Sequence, residues 1–310
     1  MRSMTKWISS LFILVALPLA AGEFEEKIEK EFIVKPGGLL TVKADLGSIQ
    51  INTVSANKVK AEVLFKSRRG SKETFLEKIK ELDVEFEKTG NDVTITADCH
   101  EKDNFWNNFG KYVNVKFIIE VPEKYNVDLK TSGGSISVDD LEGKIVAHTS
   151  GGSLHFGNTT GSVKGKTSGG SINLDGCQGD VDVNTSGGSI RIGKVQGIVN
   201  AHTSGGQISV EEVMGTIDAG TSGGSIHASI TKQPENDCKL TTSGGSITVA
   251  LSENIKVNLN ASTSGGNVKT DFPVMVKGVI SKHKLNAKIN GGGPELYLRT
   301  SGGSIYIEEL

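Results

Sequence analysis

The side chains that could do chemistry in this chain are six histidines, a scatter of aspartates, one glycine-lysine-threonine run and a short aromatic cluster. A zinc site needs several ligands, each about 2 Å from one ion. The sequence repeats with a constant period, so the number of repeats between two histidines sets their distance. His148 and His202 share a place in the repeat but lie three repeats apart. At about 4.8 Å per stacked strand that is about 14 Å. His155 and His227 are four repeats apart. Neither pair can hold one metal ion, and none is expected. A calcium β-roll needs an Asp in each Gly-Gly-x-Gly-x-Asp turn. Here the turns read Gly-Gly-Ser-Ile, and Asp139, Asp140 and Asp175 do not recur in column. Gly161-Ser-Val-Lys-Gly-Lys-Thr167 falls one residue short of a phosphate loop and runs from one repeat into the next. A glycan-cleaving β-helix needs acids or bases clustered on neighbouring repeats, and no three adjacent repeats supply them. An ice-ordering face needs an outward Thr grid. The regular Thr column is predicted inward, and the outward column runs through Ser137, His155, Asn173 and Arg191. No catalytic residue and no cofactor are expected.

The segment His100 to Tyr112 concentrates Phe105, Trp106, Phe109 and Tyr112 in a chain with only 5% aromatics. It is either a loop that stacks sugars or docks a partner, or a cover over the open first repeat.

The elements that position all of these come from the repeat. Variants of Thr-Ser-Gly-Gly-Ser-Ile begin at Thr131, Thr149, Thr167, Thr185, Thr203 and Thr221, each at the same interval from the last. Thr242 and Thr263 follow at a slightly longer interval, and Thr300 opens a further copy. With this Thr as place 1, place 6 reads Ile136, Leu154, Ile172 and Ile190, and place 8 reads Val138, Phe156, Leu174 and Ile192. Places 15 and 17 are apolar too, as in Ile145 and Ala147. A spacing of two is strand periodicity, so each repeat carries two short strands. One corner belongs to the glycine pairs Gly133-Gly134, Gly151-Gly152, Gly169-Gly170, Gly187-Gly188 and Gly205-Gly206. The other belongs to Gly143, Gly161, Gly179, Gly197 and Gly215, where positive φ or close approach excludes a Cβ. Place 1 Thr falls on the inward side, and place 2 Ser is expected to cap turn backbone groups. The fold predicted is all-β: a right-handed parallel β-solenoid of about 18 residues per coil.

Composition agrees with a thin core: 39 Gly, 6 Pro and few aromatics in 310 residues. Formal net charge is −2, or −4 without Arg2 and Lys6, and no run of five basic residues occurs. That is no footprint for nucleic acid. Residues 1–22 read as a signal peptide: a basic start, the apolar stretch Trp7 to Leu19, then Ala20-Ala21-Gly22. The stretch is too short to span a bilayer, and no later segment is long enough. Cys99, Cys177 and Cys238 are an odd set. Cys177 and Cys238 lie three coils apart by repeat register, so both read as small buried hydrophobes rather than a bridge.

The rest of the chain divides into a β-rich cap region over 23–130, regular repeats over 131–271, and degenerate coils with a cap over 272–310. Leu46-Gly-Ser-Ile-Gln-Ile51 resembles a worn repeat. Phe75, Leu76, Ile79 and Leu82 predict a helix over 72–82 after Ser71 as N-cap. Ile305 to Ile307 is predicted as a final strand, with Glu308 and Glu309 on an exposed edge.

The Ser-Gly-Gly-Ser-Ile series, Gly291-Gly-Gly293 and Leu298-Arg-Thr-Ser-Gly-Gly-Ser-Ile-Tyr-Ile307 resemble the bacterial putative-adhesin family of β-strand-repeat domains. The resemblance implies an envelope or surface β-solenoid without known catalytic residues. The function expected is an exported, non-catalytic adhesin-like or envelope-associated scaffold in the periplasm, at the cell surface or secreted. Its expected partner is a cell-envelope glycan or envelope protein, with no nucleic acid. Two alternatives stay open: a carbohydrate-active lyase or hydrolase, and an envelope-stress or sensory scaffold with a protein partner.

Overall fold

The computed structural model describes residues 24–67, 69–99, 109–110, 112–276 and 281–310. These form two long sheets of mostly parallel strands whose inner faces share one apolar core. The chain winds as a β-solenoid, each turn giving one strand to each sheet. We call such a turn a rung. One sheet runs Ile136–Val138, Leu154–Thr160, Ile172–Gln178, Ile190–Gln196, Ile208–Val213, Ile226–Ile230 and Ile247–Leu251. The other runs Ile145–His148, Val163–Lys166, Val181–Asn184, Val199–His202, Ile217–Thr221 and Cys238–Thr242. Equivalent residues stack directly: Ile136 on Leu154, Leu154 on Ile172, Ile172 on Ile190. All four are buried. β-Branched and small aliphatic side chains suit these half-buried pleats, and strict alternation puts the polar partners outside.

The nine Thr at place 1 are all buried. Each hydroxyl donates to the carbonyl of the place 4 Gly on the rung before it, or to Gly47 in the first case, at 2.6–2.8 Å. From Thr149 on, each also accepts the N–H of its own rung's place 4 Gly, as Thr185 does from Gly188 at 3.4 Å. The Thr column therefore satisfies backbone groups at the corner while its methyls meet the core. Place 5 Ser forms a second ladder, accepting the backbone N–H of the next rung, as Ser153 does from Ser171 at 3.2 Å. Rungs touch backbone to backbone at the corners. A Cβ on Gly170 would sit 2.2 Å from the Gly152 carbonyl oxygen. At the other corner Gly161 has φ +143 and a Cβ there would sit 2.3 Å from the Gly143 oxygen.

Both ends depart from simple winding. Rung Leu39–Val54 lies between rung Asn126–Val138 and the pair Asp92–Cys99 and Asn114–Pro122. Ile49 stacks on Ile136, and Gly47 accepts from Thr131, so the worn copy is a true rung. Antiparallel strands Leu82–Thr89, Lys58–Ser67 and Phe24–Ile33 finish this end. Lys58–Ser67 carries no repeat motif, but Val59, Ala61 and Val63 alternate into the core. The helix is Lys72–Ile79, with Ser71 accepting from Thr74 N at 3.2 Å; Leu82 belongs to the next strand. Phe75 is the helix's buried residue and its ring stacks on Phe24 at 6.0 Å.

At the other end, rung Glu295–Glu309 is inserted between rungs Cys238–Leu251 and Val257–Thr270. This corrects the expectation that Ile305–Ile307 ends the stack. It is bonded on both sides, and the outermost strand of its sheet is the short Val268–Thr270. Strands Lys284–Ile289 and Val274–Val276 run on outside Val257–Thr263 in the other sheet. All three cysteines are buried. Cys177 donates to the Gly161 carbonyl at 3.1 Å, and burial, helped by Asp180, pushes its thiol up to about 11. Among the described residues, no helix is long and apolar enough to cross a membrane.

Candidate functional site

The Ser after each Thr and, except at the buried Gly220, the residue before it lie on the outward side of the Gly-Gly corner. Stacking turns them into two parallel columns with a shallow trough between. Its lining includes Lys166, Asn184, His202, Thr241 and Arg299 from the first column. From the second it includes Ser186, Ser204, Ser222, Ser243 and Ser301.

The Ser column carries an identity that the fold does not require. Place 2 is Ser in all nine copies, from Ser132 to Ser301. Eight of the nine are exposed, Ser132 being half-buried. None of these hydroxyls hydrogen-bonds to a described residue, which corrects the expectation that they cap turn backbone groups. Thr at place 1 and Ser at place 5 do that work instead. The outward place 7, by contrast, varies freely through His155, Asn173 and Arg191. Nine identical side chains at an outward corner, free of internal bonds, are the strongest signal of a binding surface here. The uniform Ser is written in the sequence, but its spacing does not distinguish a hydroxyl that bonds inward from one that does not.

The other column is basic. Lys43 stacks on Lys130, Lys130 on His148, and His148 on Lys166. It continues through Asn184, His202, Gly220, Thr241 and Arg299 without an acid. His148 lies below its ordinary pKa, through burial first and then through Lys130 and Lys166. His202 faces Asp218 of the adjoining column at 3.4 Å. Asn184 donates to Asp182 at 3.0 Å, and Lys164 lies 3.5 Å from that carboxylate. Lys43 occupies an interleaved rung, so its place in this column could not be read from the spacing.

The aromatic segment is only partly described. Phe105 and Trp106 lie outside the described residues. Phe109 is fully buried in the core, and Tyr112 packs half-buried against it. Tyr112 lines a hollow with Lys66, Arg69, Asn114 and Lys116. Lys66 is engaged there with Glu25 at 3.0 Å. His148 and His202, and His155 and His227, stay on separate rungs, and no group of three His, Cys, Asp or Glu suited to a metal occurs among the described residues.

The family model Toastrack DUF4097 matches residues 71–308. Several solved structures match the chain at low identity. A putative adhesin from Bacteroides fragilis is 15% identical over 92% of this chain and 97% of that one, at a TM-score of 0.39. A putative lipid binding protein from Parabacteroides distasonis is 13% identical over 94% and 97%, at 0.42. A putative cell adhesion protein from Clostridium sporogenes is 14% identical over 92% and 100%, at 0.25. No curated protein matches the chain.

Proposed function

Since the chain belongs to the Toastrack DUF4097 family, matched over residues 71–308, we propose that it is an exported, adhesin-like scaffold that binds an envelope component without catalysis. The observation that carries this reading is the Ser column, whose nine side chains are uniform yet idle inside the fold. Rigid stacking holds the column straight, so binding would cost little ordering. The signal-like stretch at 1–22 supports export. The aspartates nearest the trough, Asp182 and Asp218, face Lys164 and His202 rather than each other. Such an arrangement suits contact with a ligand better than acid–base chemistry, which uses paired groups of opposed pKa.

The test is co-sedimentation of the purified chain with isolated cell-envelope fractions. Saturable retention without change in the envelope polysaccharide is the expected result. Release of reducing ends or unsaturated sugars would replace this reading with a lyase or hydrolase. Absence of retention would remove the scaffold reading altogether.

A further inference from the structure

At three other places on this solenoid, charged residues stacked on neighbouring rungs are opposite in sign and bridged. Lys164 meets Asp182 at 3.5 Å, Lys194 meets Glu212 at 3.2 Å, and Lys124 meets Glu142 at 2.5 Å. The run Lys43, Lys130, His148, Lys166 breaks that pattern. Four basic groups face one another in parallel register. Like charges directly opposite across strands destabilise a sheet. None of the three lysines makes an ion pair among the described residues, and all three are exposed. Asp128, two residues before Lys130, makes no bridge to it either. The cost is carried by a chain whose formal net charge is −2, so the positive stripe is a local arrangement and not a reflection of composition.

Beside this stripe stand Ser132, Ser150 and Ser168, two of them exposed, with no internal bond to their hydroxyls. The two columns repeat together at about 4.8 Å per rung. A pyranose residue is about as long as one rung. The trough lining contains no Phe, Tyr or Trp ring on which a nucleobase could stack. Resting on the scaffold reading above, we propose that this stripe and the Ser column beside it, which meet the trough at Lys166, bind a linear acidic glycan, a polymer of uronate sugars. The glycan lies along the stacking axis, with carboxylates on Lys43, Lys130 and Lys166 and ring hydroxyls on the Ser column. The ligand neutralises a repulsion that the free protein carries. His148, held below its ordinary range by burial and by the two lysines beside it, gains a counter-charge when the polymer is seated.

The test is calorimetric titration of the whole chain with oligogalacturonates, with their methyl esters as neutral counterparts. We expect saturable binding of the free acid, loss of binding on esterification, and weakening between about 0.05 and 0.25 M salt. K130E/K166E should weaken binding by at least about tenfold. Its melting temperature should not fall, because the substitution removes like-charge contacts. K130Q/K166Q serves the same purpose if the acidic pair fails to fold. S150A/S168A should weaken binding without moving the melting temperature. Equal binding of inorganic polyphosphate, or full binding by both lysine variants, would overturn the assignment. If the unaltered chain ignores oligogalacturonate yet is still retained by envelope fractions, this inference falls and the scaffold reading survives.

Discussion

At the scale of single residues, the Thr-Ser pair separates two roles that the sequence writes side by side. Thr185 donates to Gly170 O at 2.7 Å and accepts from Gly188 N, while Ser186 bonds to nothing inside the described fold. Thr185→Val keeps the shape and the methyl contact but strands a buried carbonyl and an N–H. It should cost about 1–3 kcal/mol, read as a lower urea midpoint at unchanged slope. Ser186→Ala should stay within about 0.5 kcal/mol of the parent. A comparable loss at Ser186 would return the Ser column to a structural role and remove the ground for a binding trough. The inward Thr was legible from alternation alone. The idle Ser was not, because place 2 lies in a bend where periodicity says nothing about partners.

At the scale of elements, the two glycines of each pair are unequal. A Cβ on Gly170 would meet the Gly152 oxygen at 2.2 Å, whereas on Gly169 it would meet the Gly151 oxygen at 3.2 Å. Gly170→Ala should therefore cost about 3 kcal/mol or more, by prising two rungs apart. Gly169→Ala needs only a small shift and should cost about 1 kcal/mol. Thermal melts of the two variants check the ranking. Stacked pairs such as Ile172 on Ile190 could be read from the constant spacing, since equal intervals force like residues into one ladder. The helix could be read too, from Ser71 and the apolar spacing of Phe75 and Ile79. Lys58–Ser67 was harder: it carries no repeat motif and pairs antiparallel, so only its own alternation marks it. The order of rungs at either end was beyond reach, because a motif says that a rung exists and not which neighbour it takes.

At the scale of the whole molecule, the inserted rung Glu295–Glu309 governs how the far end holds together. Rung Val257–Thr270 is bonded to it and not to Cys238–Leu251. In a solenoid each rung is stabilised mainly by its neighbours. Ending the chain after Pro294 should thus free more than the segment removed, which runs from Glu295 to Leu310. Limited proteolysis should trim the shortened protein back toward Leu251, and its melting midpoint should drop by more than about 5 °C. A shortened chain that resists protease as far as Ile289 would show that Val257–Thr270 can take the vacated place. That outcome is physically available, since Thr242, Thr263 and Thr300 present the same hydroxyl to the same kind of carbonyl. The uniformity that makes the stack regular also makes its floors interchangeable. The tucked-in rung therefore works as a clasp: a pull or a cut at that point opens two storeys together, and fusing cargo there would load the fastening and not a loose end.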